Sequence, residues 1–198
     1  MSQHFSDIAF TPAVQAIQIA RGSRRAYAAQ AARAADGDRL GADEVAFIES
    51  RDSFYMASVG ETGWPYIQHR GGAAGFLKVL DAHTVGFADL SGNRQYISVG
   101  NVGGDDRVCL FLMDYPQRAR LKILGRARLT ETPEDIARVV VPAYRAPVER
   151  AWFITVAAFD WNCQKHIVPR YTVDEIRTLV KPLEDRIAEL EAALALTR

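Results

Sequence analysis

The chain has 198 residues, of which 48% are hydrophobic and 24% are charged, and its 24 basic and 24 acidic residues leave no net charge at pH 7. This length suits one domain with a sizeable core, and the balanced charge provides none of the overall basic field that nucleic-acid-binding proteins use. The cysteines Cys109 and Cys163 lie far apart and outside any CxxC or Cys/His spacing, which argues against a disulfide framework or a metal site. No apolar stretch approaches the ~20 residues that cross a bilayer. The N-terminus lacks the pattern of a secretory signal. We therefore expect a cytoplasmic protein that binds neither membrane nor nucleic acid.

The first part of the chain, residues 1–41, reads as a helical arm. Thr11-Pro12 combines an N-cap with a proline at the first helical position. An alanine-rich helical stretch then begins at Ser23 and ends before Asp36-Gly37-Asp38. We expect this arm to pack around the larger remainder of the protein, and it has no recognisable catalytic or binding motif.

From Ser53 onward the rhythm becomes that of short strands, after a short helix over Ala42–Ser50. Turn residues such as Gly60-Glu61-Thr62-Gly63 separate the strands, and a capped helix starts at Thr132-Pro133. Five or six strands joined mainly by short turns favour an antiparallel barrel or sandwich over a parallel sheet. The clearest strands are predicted over Phe54–Val59, Tyr66–Arg70, Thr84–Ala88, Arg107–Met113, Arg120–Leu129 and Trp152–Phe159.

The last part of the chain, residues 172–198, is predicted to be one long helix. Thr172 and Glu175 form a capping box, and Pro182 is expected to bend the helix. Its apolar residues keep a spacing of three and four, which is typical of a packing face against the chain's own barrel or a partner subunit. Because no linker interrupts the sequence, we expect a single domain over residues 1–198. The apolar series is Ile176, Leu179, Leu183, Ile187, Leu190 and Leu194.

Two neighbouring polar segments predict a phosphate site. Arg70 ends the strand Tyr66–Gly71, and Asp89 precedes the turn Ser91-Gly92-Asn93-Arg94-Gln95. Such a turn offers backbone N–H donors, and guanidinium forks match phosphate oxygens in pairs. The pattern is neither a P-loop nor a dinucleotide-binding fingerprint, so we expect the phosphate to bind to a sheet. Surface ion pairs are the alternative for the arginines, and turn formation is the alternative for Ser91 and Asn93.

Other polar candidates follow the strands. Gln68 and His69 are adjacent on an alternating strand and must face opposite sides, so one of them faces the core or an interface. Asn162, Gln164 and His166 cluster after the last strand. His166 is the candidate for proton transfer near neutral pH, with structural hydrogen bonding as its alternative. Cys163 is expected to be inert.

Five segments carry a resemblance to a known family: YIQHRGG, GFLKVLD, FADLSGNRQYISVGN, RLKILGRA and DWNCQKHIVPR. In this order, over roughly residues 11–170, the sequence resembles the pyridoxamine 5′-phosphate oxidase-related, FMN-binding split-barrel family. The resemblance implies a mainly β fold, a six-stranded antiparallel Greek-key split β-barrel with N-terminal helices and a C-terminal helix. It further implies a homodimer with FMN in a groove at the subunit interface.

The resemblance also assigns site residues. Gln68 and Arg70 would face the flavin and its phosphate, and Arg120 would take the place of a flavin-contacting glutamine. Lys78 would supply the charge that is lost where the family's phosphate turn has a basic pair. The full set implied or predicted to bind the cofactor is Gln68, His69, Arg70, Gly71, Lys78, Asp89, Ser91, Asn93, Arg94, Gln95, Arg120, Asn162, Gln164 and His166.

The implied function is an FMN-dependent oxidoreductase acting on a small molecule, with NADH or NADPH as the electron donor. The segment after the last strand departs from the family pattern, so we do not expect pyridoxamine phosphate itself to be the substrate. One alternative is a non-catalytic flavin carrier, sensor or stress protein. Another is a relative that binds deazaflavin or haem, with His166 or His69 as the axial ligand.

Overall fold

The computed structural model describes residues 4–31, 37–142, 146–161 and 165–196. Their contacts form two compact units, one from residues 1–113 and 120–163 and the other from residues 114–119 and 164–198. The single-domain organisation over 1–198 stays a prediction. The helices are α1 (Phe5–Ala9), α2 (Pro12–Ala20), α3 (Arg24–Ala31), α4 (Ala42–Glu49), α5 (Ile97–Gly104), α6 (Pro133–Val139) and α7 (Val173–Leu196). The strands are β1 (Ser53–Val59), β2 (Pro65–Gly71), β3 (Lys78–Asp81), β4 (Thr84–Leu90), β5 (Arg107–Asp114), β6 (Ala119–Thr130) and β7 (Val148–Trp161).

The strands form one sheet in the order β2-β1-β5-β6-β7-β4-β3, and the pairs whose registers are defined are antiparallel. The sheet curls back on itself, because Phe54 of β1 and Phe87 of β4 touch across the core with ring centroids 5.3 Å apart. Those two strands stand four places apart in the sheet order. The order nevertheless ends at β2 and β3, which leaves the barrel split. The predicted fold class, mainly antiparallel β with N-terminal helices and a C-terminal helix, is confirmed.

The strand count needs a correction, since the described residues form seven strands rather than six. The additional strand is β3, a four-residue segment that pairs with β4 around the turn after Asp81. No strand was predicted for this segment, because four residues are too few to show an alternating pattern. It extends one edge of the sheet beside β4.

The core of the sheet is built from aromatic and aliphatic side chains on its concave side. Trp152, Phe54 and Phe87 are among the largest fully buried residues, and the Phe87 and Trp152 rings are stacked with centroids 5.6 Å apart. Burial of such side chains stabilises by about 1.5–3 kcal/mol each. The core thereby fixes the adjoining ends of β2, β4 and β7, where the polar residues gather.

One helix near the predicted site was not expected from the sequence. Residues 97–104 form α5 although they include Gly100, Gly103 and Gly104 and the β-branched Ile97, Val99 and Val102, all residue types with modest or poor helix propensity. Tertiary packing overrides propensity here, because Ser98 and Val102 are buried against the barrel. The turn that was predicted to bind a phosphate therefore leads from a strand into a helix.

The second unit consists mainly of α7, a 24-residue helix whose described side chains are all exposed. Thr172 and Glu175 form the predicted capping box, with the Glu175 carboxylate accepting from the Thr172 N–H at 2.7 Å and the Thr172 hydroxyl accepting from the Glu175 N–H at 3.2 Å. Among the described helices, none combines the length and apolarity needed to cross a membrane.

Candidate functional site

A polar cleft of about 230 Å³ opens between β2, the turn after β4 and the start of α5. It brings together most of the residues that the sequence singled out around Arg70 and Arg94. Its walls are contributed by β2, by residues 89–96, by the first residues of α5 and by one residue of β7. The lining residues are Tyr66, Gln68, Arg70, Asp89, Leu90, Gly92, Asn93, Arg94, Gln95, Tyr96, Ile97, Ser98, Val99 and Glu149.

Arg70 reaches from β2 across the open side of the barrel to Asp89 of β4. Its Nη1 donates to Asp89 Oδ1 at 2.7 Å, and the two side chains are only 14% and 8% exposed. The guanidinium also lies 5.3 Å from the Trp152 ring centroid and 5.6 Å from that of Phe87, within the range of a cation–π interaction. Arg70 Nε has no hydrogen-bond partner among the described atoms. This nearly buried ion pair anchors the inner end of the cleft.

Arg150 and Glu149 extend this ion pair, and sequence reasoning missed both of them. Arg150 Nε lies 3.4 Å from the second Asp89 oxygen, and Arg150 Nη2 donates to Glu149 at 2.9 Å. The contact follows from strand register, since Arg150 stands directly opposite Asp89 in the β4–β7 pair. The only signal in the sequence was a charged pair just before an apolar strand, and it gives no register.

Glu149 is held in its charged form. The Ser91 side chain lowers the pKa of the Glu149 carboxyl by hydrogen bonding, with smaller contributions in the same direction from Tyr96 and Arg150. Ser91 also donates its backbone N–H to the Pro147 carbonyl at 2.9 Å. Ser91 therefore serves the turn and the acidic side chain, and it does not line the cleft.

The turn after β4 has an unusual backbone. Arg94 and Tyr96 adopt left-handed conformations with φ of 57° and 52°, which cost a residue other than glycine roughly 1–2 kcal/mol. Asn93 supports the turn by accepting the Gln95 N–H at 3.2 Å. The Arg94 side chain is exposed in the cleft and makes no ion pair within the described ranges. Strain of this kind is common at ligand sites, and here it presents a guanidinium that is not neutralised.

The turn leads directly into the N-terminus of α5. Tyr96 is the N-cap, and its side chain accepts no hydrogen bond from the first turn. The first N–H groups of a helix have no acceptor within the helix, and together with the helix dipole they attract anions. Ser98 fixes this end of α5 to β2, because its hydroxyl donates to Gln68 Oε1 at 2.8 Å.

The charges around the cleft leave one positive charge in excess. Arg70 and Arg150 are balanced by Asp89 and Glu149, whereas Arg94 adds a third arginine without a matching carboxylate in these contacts. A guanidinium beside the backbone N–H groups of a helix N-terminus is suited to a phosphate or a carboxylate. The cleft is thus equipped to bind an anionic group.

Six of the described residues in the predicted set lie outside this cleft, and three of them are Lys78, His69 and Gly71. Lys78 Nζ donates to the Val140 carbonyl at 2.8 Å, where it covers the end of α6. His69 is exposed on the opposite side of β2 and makes an edge contact with Tyr55, their ring centroids being 5.6 Å apart. Gly71, the last residue of β2, is likewise exposed. None of the three lines the cleft.

Arg120 lines a different cavity, of about 550 Å³, between the N-terminal arm and the strands β6 and β7. Its guanidinium lies 5.6 Å from the Phe111 ring centroid, and its Nε has no hydrogen-bond partner in the part of the chain that the structure describes. Lys122 lines the same cavity and pairs with Asp160 at 2.6 Å.

His166 belongs to the second unit, where it is exposed and has a left-handed backbone with φ of 66°. Asn162 and Gln164, like Cys163, lie outside the described residues. Cys109 is half-buried, and burial raises the pKa of its thiol. Within residues 4–31, 37–142, 146–161 and 165–196, no cluster of three or more His, Cys, Asp or Glu side chains is arranged to hold a metal ion.

Comparisons with known proteins identify a family and solved structures with a similar fold. Residues 41–177 match the family model described as pyridoxamine 5′-phosphate oxidase. A search of curated protein sequences finds no significant match. Among solved structures, HupZ of Group A Streptococcus is 13% identical, with a TM-score of 0.51 over 66% of this chain and 100% of its own. A conserved hypothetical protein of Mycobacterium tuberculosis is 19% identical, with a TM-score of 0.50 over 69% of this chain and 94% of its own. These two likenesses concern the fold, whereas the family match spans more than half of the chain: the protein belongs to the pyridoxamine 5′-phosphate oxidase family.

Proposed function

We propose that this protein binds FMN, with the phosphate in the cleft beside Arg94, and that it is an FMN-dependent oxidoreductase of a small organic molecule. The observation that carries the proposal is Arg94, an arginine with no ion pair among the described residues, next to the N-terminus of α5, whose N-cap side chain makes no capping hydrogen bond. Members of this family generally bind a flavin and form dimers. The cleft supplies hydrogen-bond donors suited to the phosphate group, which distinguishes FMN from riboflavin.

The phosphate would be held from two sides. The Arg94 guanidinium would donate a fork of N–H groups, and the backbone N–H groups of Ile97 and Ser98 would donate from the helix. Lys78 is not placed to supply a further positive charge, since it is held at the Val140 carbonyl. Gln68 and Arg70 would contact the ribityl side of the cofactor.

The size of the cleft supports a homodimer with FMN at the interface. Small-molecule sites commonly have volumes of about 300–1,000 Å³, and this cleft has only about 230 Å³. It has room for the phosphate and part of the ribityl chain. The isoalloxazine ring would extend beyond it, where a second subunit would cover the ring.

When bound, FMN would supply the hydride or electron transfer itself. The side chains of this protein need only hold and orient it, so the absence of a catalytic triad in the sequence does not argue against an enzyme. His166 remains the candidate for proton transfer. A nicotinamide nucleotide is the proposed electron donor, and pyridoxamine phosphate is not the proposed substrate.

The visible absorption spectrum of the freshly purified protein tests the proposal, followed by heat release and chromatography of any chromophore. We expect a flavin spectrum, released FMN and bleaching of the flavin bands by NADH or NADPH without oxygen. Bleaching by neither nucleotide would leave the flavin-carrier alternative, and a Soret band would indicate haem. A colourless protein that does not take up added FMN would refute the proposal.

A further inference from the structure

Helix α7 carries a continuous apolar stripe that is exposed along its whole length. The stripe consists of Val173, Ile176, Val180, Leu183, Ile187, Leu190 and Leu194, with Leu179 of the predicted apolar series beside it. These side chains are between 38% and 65% exposed, although a globular protein usually buries such a series. Most of the stability of a helix in a protein comes from packing of its apolar face rather than from intrinsic propensity. A stripe of this extent therefore indicates a partner surface.

The stripe has the period of a coiled coil rather than that of a helix on a globular core. Its residues alternate at steps of three and four, which is a repeat of 3.5 residues. In heptad terms, the a positions are Val173, Val180, Ile187 and Leu194, and the d positions are Ile176, Leu183 and Leu190. The repeat runs without interruption through the described helix.

We infer that α7 forms a parallel two-stranded coiled coil with α7 of a second copy of this chain. Three of the four a residues are β-branched and two of the three d residues are leucine, a combination that favours two strands in a parallel coiled coil. In this register Arg186, at a g position, meets Glu191 of the partner subunit, at the following e position. The twofold axis makes this attraction occur twice.

The rest of the helix surface is compatible with that arrangement. An ion pair joins Lys181 to Asp185 on the outer face of the same helix, away from the apolar seam. Arg177, at an e position beside the seam, pairs with Asp174 of its own helix. Pro182 is at a c position, so its ring points outward and does not enter the seam. Arg186 currently pairs with Glu189 of its own helix at 2.8 Å, and it would exchange that carboxylate for the one on the partner.

Disulfide cross-linking of the full-length protein tests the pairing and its direction. In a background of Cys109→Ala and Cys163→Ser, Leu190→Cys places a thiol in the seam, where a parallel partner brings the same residue opposite. Ala192→Cys, at an outer f position, is the matched control. We expect mild oxidation to convert the Leu190→Cys protein to a covalent dimer at least tenfold faster than the control. Equal rates would overturn the inference.

Mixing two single-cysteine proteins separates parallel from antiparallel pairing. Positions 180 and 190 are about 15 Å apart along a helix, so Val180→Cys and Leu190→Cys thiols cannot meet in a parallel pair. In an antiparallel pair these two positions would lie opposite each other. We therefore expect only the two like-with-like dimers, and a predominant mixed dimer would contradict the parallel assignment.

Hydrogen exchange provides a readout that needs no new thiol. We expect amides of α7 to exchange at least tenfold more slowly in the wild-type protein than in the seam variant Leu183→Asp with Leu190→Asp. The control variant, Thr178→Asp with Ala192→Asp, adds the same charge to the outer face and should keep the protection. Equal exchange in both variants would overturn the inference. The inference rests on α7 alone and does not depend on whether the cleft binds FMN.

Discussion

Replacing Arg94 by alanine should weaken the binding of FMN and leave the binding of riboflavin almost unchanged. Arg94 is exposed, makes no ion pair among the described residues and lines the cleft beside the start of α5. Its removal therefore disturbs no buried contact of the protein. Alanine also keeps the left-handed backbone cost of position 94, where φ is 57°, whereas glycine would relieve that cost and change the turn.

The size of the effect follows from the contacts that would be lost. A hydrogen bond to a charged group contributes about 1.5–3 kcal/mol, and every 1.4 kcal/mol changes an affinity tenfold. The Kd for FMN should therefore rise by roughly 10- to 150-fold. Arg94→Lys keeps the charge and loses the fork, so it should fall between the wild type and Arg94→Ala.

Quenching of flavin fluorescence on titration with protein gives both dissociation constants. Arg126→Ala is the matched control, because Arg126 is also an exposed arginine but pairs with Asp106 elsewhere on the first unit. The difference in Kd between FMN and riboflavin should decrease as the salt concentration rises, since salt screens an exposed charge. An equal loss of affinity for FMN and riboflavin, or no loss of affinity for either, would refute the assignment of Arg94 to the phosphate.

Three further predictions concern the frame of the site and the second unit. Arg70→Ala should lower the free energy of unfolding by up to about 3 kcal/mol, because the nearly buried Asp89 carboxylate loses its partner at 2.7 Å and keeps only Arg150 at 3.4 Å. Thermal unfolding should show a Tm lower by up to roughly 6–12 °C, and adding Asp89→Ala should restore part of the loss. Gly125→Ala should lower the free energy of unfolding by at least about 1–3 kcal/mol, because the new Cβ would come within 2.6 and 2.7 Å of atoms on β7. Gly103→Ala is the control and should not destabilise the protein, because its new Cβ has nothing within 4 Å. Deleting residues 172–198 should lower the mass of the assembly in sedimentation equilibrium or weaken its association, because the α7 stripe loses its partner.

Each of these has an outcome that would count against it. An unchanged Tm for Arg70→Ala would mean that the ion pair with Asp89 contributes nothing to the fold. Equal unfolding curves for Gly125→Ala and Gly103→Ala would mean that β6 and β7 are not packed as closely as described. A truncated protein with the wild-type mass and Tm would remove α7 from the assembly.

The fold was largely predictable because its signals are local. The N-caps at Thr11 and Thr132 act as expected, their side chains accepting the backbone N–H of Val14 and Asp135 at 3.4 Å. Alternation also placed Gln68 and His69 on opposite sides of β2. What escaped prediction was set by tertiary structure: β3 is too short for a pattern, and α5 is helical against its own composition.

Only those parts of the candidate site that are formed by short stretches of sequence were predictable. The turn at residues 91–95 and the arginine at the end of β2 have recognisable chemistry, and the fold brings them into one cleft. Arg150 enters through the β4–β7 register, which no periodicity encodes. Lys78 shows the reverse case, because an available cation in the sequence is used in the structure to hold a backbone carbonyl.

The central claim is that the cleft between β2, the turn after β4 and α5 holds the phosphate of FMN. A crystal structure of the protein with FMN bound tests this claim most directly. The account predicts the phosphate within hydrogen-bond distance of the Arg94 guanidinium and of the backbone N–H groups at the start of α5. A phosphate bound at the Arg120 cavity, or anywhere else, with this cleft holding only water, would contradict it.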